Sequence, residues 1–218
     1  IICCGEALID MLPRTTTEGE DAFSPYAGGS VFNTALALGR LGLKTGFFTG
    51  LSSDMFGDIL RKALSESGVD HSYCATLDLH TTLAFVRLVN GNASYMFYDE
   101  NTAGRSLDRT SLPVVSADIK AMYFGGISLI GLPAADFYSE LAKREASARV
   151  IMMDPNIRPL FITEPGIYRK RLTQMIACCD ILKVSDDDLH WIISGDATLK
   201  EKALALRALG PKVVIVYQ

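Results

Sequence analysis

Apolar runs that read as strands alternate along this chain with segments whose apolar residues recur every three or four positions, as they do on one face of a helix. The opening run, Ile1 to Leu8, predicts a strand buried on both faces of a parallel sheet. Glu6 and Asp10 stand at its C-terminal end, where open α/β sheets bind ligands. The pattern then predicts a strand over Lys44 to Leu51, a helix over Asp54 to Ser67 closed by Gly68, and strands at Ala121 to Phe124, Arg149 to Met153, Asp180 to Val184 and Lys212 to Tyr217. Between those later strands lie helices near Ala134 to Ala146, Gly166 to Ala177, Asp187 to Ile193 and Leu199 to Leu209.

One stretch breaks the alternation. Thr81 to Val89 and Ala93 to Tyr98 are β-rich, and Asn90-Gly91-Asn92 between them is a strong hairpin signal. Together with the polar excursion from Pro13 to Pro25, this hairpin predicts a separate small sheet, with segments at about 11–26 and 81–99, that covers a site as a lid. The fold expected is one α/β domain over 1–218, a mostly parallel sheet with helices on both faces and a small β-lid. A final strand with no closing helix, and a first residue that is not Met, predict that the sequence continues beyond what is written.

The stretch Ala27-Gly28-Gly29-Ser30-Val31-Phe32-Asn33 carries the main chemical signal. Two glycines let the backbone adopt positive φ and let a ligand approach. A helix follows at once, with Ser30 as the expected N-cap and Gly42 at its end. Asn33, in the first turn, can both donate to and accept from a polyol held against the glycines and the helix N-terminus. Without a ligand, the same stretch is a strand-to-helix turn with packing glycines. Neither a dinucleotide fingerprint nor a P-loop is present, Gly42-Leu43-Lys44-Thr45 being only a near miss to the latter.

Composition narrows the classes. The chain is 49% apolar and 21% charged with a net charge of −4, and no basic run marks a nucleic-acid surface. The longest apolar reach, Ala121 to Phe137, is interrupted by glycines, Pro133 and Asp136, which argues against a membrane span. The five cysteines, Cys3, Cys4, Cys74, Cys178 and Cys179, have no metal or redox spacing and are expected as buried free thiols in a reducing cytoplasm.

Two further segments follow strand ends. Asp154-Pro155-Asn156-Ile157-Arg158-Pro159 holds Arg158 on a turn stiffened by prolines, suited to a hydroxyl-rich or anionic ligand or, read plainly, a capped strand end. Lys183-Val184-Ser185-Asp186-Asp187-Asp188 places three carboxylates where a helix N-terminus or a hydrated Mg²⁺ would relieve their repulsion.

Taken together, these residues resemble the ribokinase-like (PfkB) family of carbohydrate kinases, in its fructokinase and 2-keto-3-deoxygluconate kinase branch. Gly28-Gly29-x-x-x-Asn33, Gly39-Arg40-Leu41-Gly42 and Asp54-x-x-Gly57 match its N-terminal signature, and the other segments follow in the family's order. The resemblance implies a three-layer α/β/α sandwich that uses ATP and Mg²⁺, and a cytoplasmic homodimer paired through the lid. It implies that Asp10, Gly28, Gly29, Asn33, Tyr98 and Arg158 hold the sugar, that Asn156 and Ser185 serve the nucleotide, and that Asp188 meets the metal through water. The family's Gly-Ala-Gly-Asp motif, which carries the catalytic Asp, does not occur in this sequence. Asp99 stands where ketodeoxygluconate kinases tend to carry an Arg, which favours a neutral sugar, fructose first. The alternatives are an acid-sugar kinase or, if the chain ends at Gln218, a sugar-binding module without catalysis.

Overall fold

A computed structural model describes residues 1–89, 92–107 and 112–218. The Asn90-Gly91 turn lies outside the described residues. The main sheet is built from β1 (Ile2–Cys4), β4 (Thr45–Phe48), β6 (Val69–Asp70), β10 (Ala121–Gly125), β11 (Val150–Asp154), β12 (Ile181–Ser185) and β13 (Val213–Tyr217). Its order is β13-β12-β11-β10-β1-β4-β6, and every pairing is parallel. This is the ribokinase-like α/β fold, and α-helices separate most of its strands in the chain.

Strand alternation assigns the two faces. Ile2, Cys4, Phe48, Met122, Phe124, Ile151 and Met153 pack on one side with α3 (Ala134–Glu145), α4 (Pro165–Ala177), α5 (Asp186–Ile192) and α6 (Leu199–Arg207). Cys3, Phe47 and Tyr123 point the other way, against α1 (Ser30–Arg40) and α2 (Met55–Glu66). Phe32 of α1 meets Phe47 edge-on at 5.6 Å, which seats α1 on the sheet.

Two expected strands are split. The chain leaves the main sheet after Cys4 and re-enters order as β2 (Leu8–Thr15); Gly5 between them lies against Val31 and Ser128, where a Cβ would fall 2.6 Å from Val31 Cγ2. Likewise β4 ends at Phe48 and β5 (Gly50–Ser52) pairs instead with β7 (Ala75–Leu77), with the backbone at Gly50 close against that of Ala103. The polar excursion is also ordered. β2 and β3 (Asp21–Gly28) form an antiparallel hairpin, and β2 pairs in parallel with β8 (Leu83–Val89), itself antiparallel to β9 (Asn92–Tyr98). The small sheet therefore runs β3-β2-β8-β9 and draws on both segments expected of it.

Candidate functional site

A cavity of about 230 Å³ lies between this small sheet and the C-terminal ends of the main strands. Leu8, Asp10, Tyr95 and Phe97 line it from the small sheet; Glu6, Gly29, Ser30, Asn33, Ile127, Asn156 and Arg158 line it from below. Its volume is below the roughly 300–1,000 Å³ of sites for drug-sized ligands and suits one small ring. Asp10, Gly29, Asn33, Asn156 and Arg158, expected together from the sequence, all meet here.

Register decides which side chains face the cavity. Asp10 pairs with Ala84 and Ala84 with Phe97, so Asp10 and Phe97 share a face. Tyr98 pairs with Leu83, one step along, and its ring stands on the opposite face, 57% exposed and edge-on to Phe85 at 5.5 Å. The expectation that Tyr98 lines the sugar pocket is thus corrected: Phe97 and Tyr95 occupy that position.

The Gly28-Gly29 loop departs from expectation in one respect. Ser30 does not cap α1; Gly29 is the N-cap residue, at φ 110°, and no local side chain caps the helix. Glu6 does so from 24 residues away, accepting from Ser30 N at 2.9 Å, Ser30 Oγ at 2.6 Å and Val31 N at 3.3 Å. The first amides of α1 are therefore engaged, and Asn33, one turn in, is left to meet a ligand. Burial pushes the Glu6 carboxyl up, opposed by these hydrogen bonds and one from Ser128 N.

Gly28 lies behind Asp10, not in the cavity wall, and a Cβ there would overlap Asp10 Oδ2. The Asp10 carboxyl is half-buried, its pKa raised by that burial, and no donor of the described residues pairs with it. An acceptor-only carboxylate, two amides that donate and accept, and an arginine fork facing the aromatic rings of the small sheet suit vicinal hydroxyls on a neutral ring.

The other two segments adjoin one another. Asn156 turns the chain at φ 45°, a conformation Asn tolerates better than most residues, and Ile157 N then donates to Asp188 Oδ1 at 3.1 Å. Ser185 caps α5 by accepting from Asp188 N at 3.0 Å. Asp188 is buried; burial first, and the nearby Asp154 charge with it, push its carboxyl up to about 6 against the Ile157 hydrogen bond. Its Oδ2 and Asp154 Oδ1 have no hydrogen-bond partner. Lys183 pairs with Asp154 Oδ2 at 2.7 Å and sits 3.6 Å above the Tyr217 ring. Ser185 and Asp188 lie outside the lining of the 230 Å³ cavity.

Asp99 lines a neighbouring cavity of about 310 Å³, with Arg105 and Phe161. Its carboxylate accepts from Thr82 Oγ1 at 2.9 Å and stands 3.7 Å from Arg105.

Comparison with known proteins bears on the whole length. The model of the pfkB family carbohydrate kinases matches residues 1–218. The chain belongs to this family. A fructokinase of Rhizobium leguminosarum bv. trifolii is 52% identical to this PfkB chain over 219 residues, covering 99% of it and 66% of the relative. Fructokinase-2 of Oryza sativa subsp. japonica is 32% identical, with 99% and 66% covered. The chain thus spans about two thirds of the length of these relatives. Among solved structures, the fructokinase of Xylella fastidiosa with bound ATP superposes with a TM-score of 0.86 at 28% identity, covering 100% of the PfkB chain and 68% of the other. Aminoimidazole riboside kinase from Salmonella enterica gives 0.82 at 25% identity, covering 99% and 69%.

Residues that line the cavity but escaped the sequence as pocket residues are Leu8, Ser30, Tyr95, Phe97 and Ile127. Glu6, placed with Asp10 at the first strand end, lines it as well, and Phe97 shares the face of Asp10 through the β2-β8-β9 register.

Proposed function

We propose that this protein transfers the γ-phosphoryl group of ATP to a hydroxyl of a neutral monosaccharide, fructose first. The observation that carries this reading is the small cavity in which Asp10, Asn33, Asn156 and Arg158 converge beneath Phe97. The fructokinase relative at 52% identity supports the choice of sugar. Asp10, the Gly28-Gly29 loop, Asn33 and Arg158 grip the hydroxyls. The small sheet closes as a lid over them and excludes water. Asn156 and Ser185 face the nucleotide side. Gly-Ala-Gly-Asp is absent from this sequence, so no residue here is assigned as catalytic base, and these residues bind and orient.

A divalent ion is implied by the family. Among the described residues no group of three potential ligands could hold one alone, but the unpartnered Asp188 Oδ2 offers one carboxylate oxygen. One carboxylate with waters and nucleotide phosphates is the donor set Mg²⁺ takes, so Asp188 would hold it through water. When bound, the ion neutralises phosphate charge. The outer face of the small sheet exposes Phe23, Met96 and Tyr98, and a second copy of the chain covers it in a homodimer. All five cysteines are free, which fits a reducing cytoplasm. Among the described residues, no helix is long and apolar enough to cross a membrane.

The test is ADP release by the purified protein with ATP and Mg²⁺ across fructose, ribose, glucose and 2-keto-3-deoxygluconate. Turnover on fructose above the others is expected. Preference for the acid sugar would overturn the neutral-sugar reading, and turnover on none would overturn the kinase reading.

A further inference from the structure

We propose that Glu6 is a positioning residue that clamps two walls of the sugar pocket in register, an inference that rests on reading the 230 Å³ cavity as the sugar site. Its carboxylate joins segments far apart in the chain. Oε1 receives Ser30 N, Ser30 Oγ and Val31 N from the start of α1, and Oε2 receives Ser128 N at 3.3 Å from the turn after β10. The first wall carries Gly29 and Asn33; the second carries Ile127, the neighbour of Ser128, which lines both the 230 Å³ and the 310 Å³ cavity.

The backbone on both sides is shaped around this group. Gly29, at φ 110°, passes over Glu6 so closely that a Cβ would lie 2.9 Å from Glu6 O. Gly126, at φ 67°, faces the carboxylate itself, and a Cβ there would overlap Glu6 Oε1. Helix capping alone does not call for such an arrangement. α2, α5 and α6 are capped by the residue directly before them, Asp54, Ser185 and Thr198. At α1 that position is a glycine with positive φ, so the cap comes from β1's end and takes the opposite wall with it. A buried carboxylate held only by neutral donors is costly to desolvate, and the hydrogen bonds that offset the cost fix its geometry. Sugar hydroxyls would meet Asn33 on the first wall, so a shift of one wall against the other by about 1 Å weakens binding sharply.

Three variants test the clamp: Glu6→Ala, Glu6→Gln and Gly126→Ala. Gln keeps an acceptor for Ser30 and Val31 but turns its NH₂ toward Ser128 N, so it loses one wall only. Gly126→Ala displaces the carboxylate from outside the sugar pocket. The expected result is a rise in the fructose KM of at least tenfold for Glu6→Ala and Gly126→Ala and a smaller rise for Glu6→Gln. The KM for ATP and kcat at saturating fructose stay within about threefold. The double variant Glu6→Ala/Gly126→Ala has a fructose KM no higher than Glu6→Ala, because the clash has lost its partner, and the positive φ at 126 shows only as a loss of stability. Unchanged fructose KM in folded Glu6→Ala and Gly126→Ala overturns the proposal, as does a fall confined to kcat. Amide exchange of the ligand-free protein reads the clamp apart from sugar binding. Faster exchange at Ser30, Val31 and Ser128 in Glu6→Ala supports the clamp even if the parent protein proves not to bind fructose, a result that would sink the sugar reading alone. Unchanged exchange at those amides overturns the clamp itself.

Discussion

Replacing Gly28 by Ala isolates what Asp10 contributes. Gly28 ends β3 opposite Leu8, and its φ is not among the positive values, so the backbone accepts an alanine. The new Cβ would overlap Asp10 Oδ2 and lie 3.0 Å from Asp10 Cγ, while its next neighbour, Leu8 Cδ1, is at an ordinary 3.5 Å. Only the Asp10 carboxylate has to move, by about 1 Å, a displacement that can cost on the order of 100-fold where a polar group is aligned on its ligand. The fold hardly registers the change. Gly to Ala gains about 0.4–1 kcal/mol through the unfolded chain, and a carboxylate pushed off its rotamer costs about 0.5–1.5 kcal/mol. The two nearly cancel, so Tm moves by no more than about 3 °C. A hydrogen bond to a charged group contributes about 1.5–3 kcal/mol, so fructose affinity should drop by roughly 10- to 100-fold. Calorimetric titration with fructose, beside thermal unfolding, reads both quantities. Affinity within twofold of the parent would show that Asp10 does not grip the sugar. A fall in Tm beyond about 8 °C would show that Gly28 serves the fold instead.

Three other outcomes follow from the same geometry. The Asp188 carboxyl, raised to about 6, keeps its proton longer folded than the unfolded value near 3.9 allows. The stability this gives is complete below about pH 4 and is lost as pH rises through about 6. Asp188→Asn escapes that loss, so its Tm relative to the parent should climb between pH 5 and pH 7.5; a flat difference contradicts the assignment. Asp99→Ala removes the acceptor of Thr82 and the Arg105 contact, costing about 1–3 kcal/mol in thermal unfolding while fructose affinity stays within twofold; a tenfold loss of affinity would place Asp99 in the sugar site. Asp54 accepts from Gly57 N, Thr81 N and Thr81 Oγ1. Burial pushes its carboxyl up, but these bonds together hold it below the usual range. Asp54→Ala should cost about 2 kcal/mol at neutral pH, a deficit that closes as pH falls below about 4 and that acid titration of Tm would expose as misassigned if it stayed constant.

The fold is legible because the central strands of the main sheet bury both faces and its helices bury one, so hydrophobic period separates them. Where the reading failed, the cause was contact at a distance. The first strand breaks after Cys4 and the second between Phe48 and Gly50, where the chain changes its pairing partner from one sheet to another, and nothing within those apolar runs announces it. The cap of α1 was misread for a similar reason: Ser30 has the right chemistry, but the acceptor comes from Glu6. Asp10, Asn33, Asn156 and Arg158 meet in one cavity because each sits at a strand end or first turn, where position follows from local pattern. Tyr98 was misplaced because the side it faces depends on cross-strand register, and a shift of one residue exchanges it for Phe97.

The cavity between the small sheet and the strand ends is proposed as a neutral-sugar site. Hydrogen exchange of the purified protein with and without saturating fructose tests it without requiring turnover. The prediction is slower exchange confined to the amides of 8–12, 28–34, 94–98 and 156–158. Protection centred instead on the cavity of Arg105 and Phe161, or no protection anywhere, would contradict it.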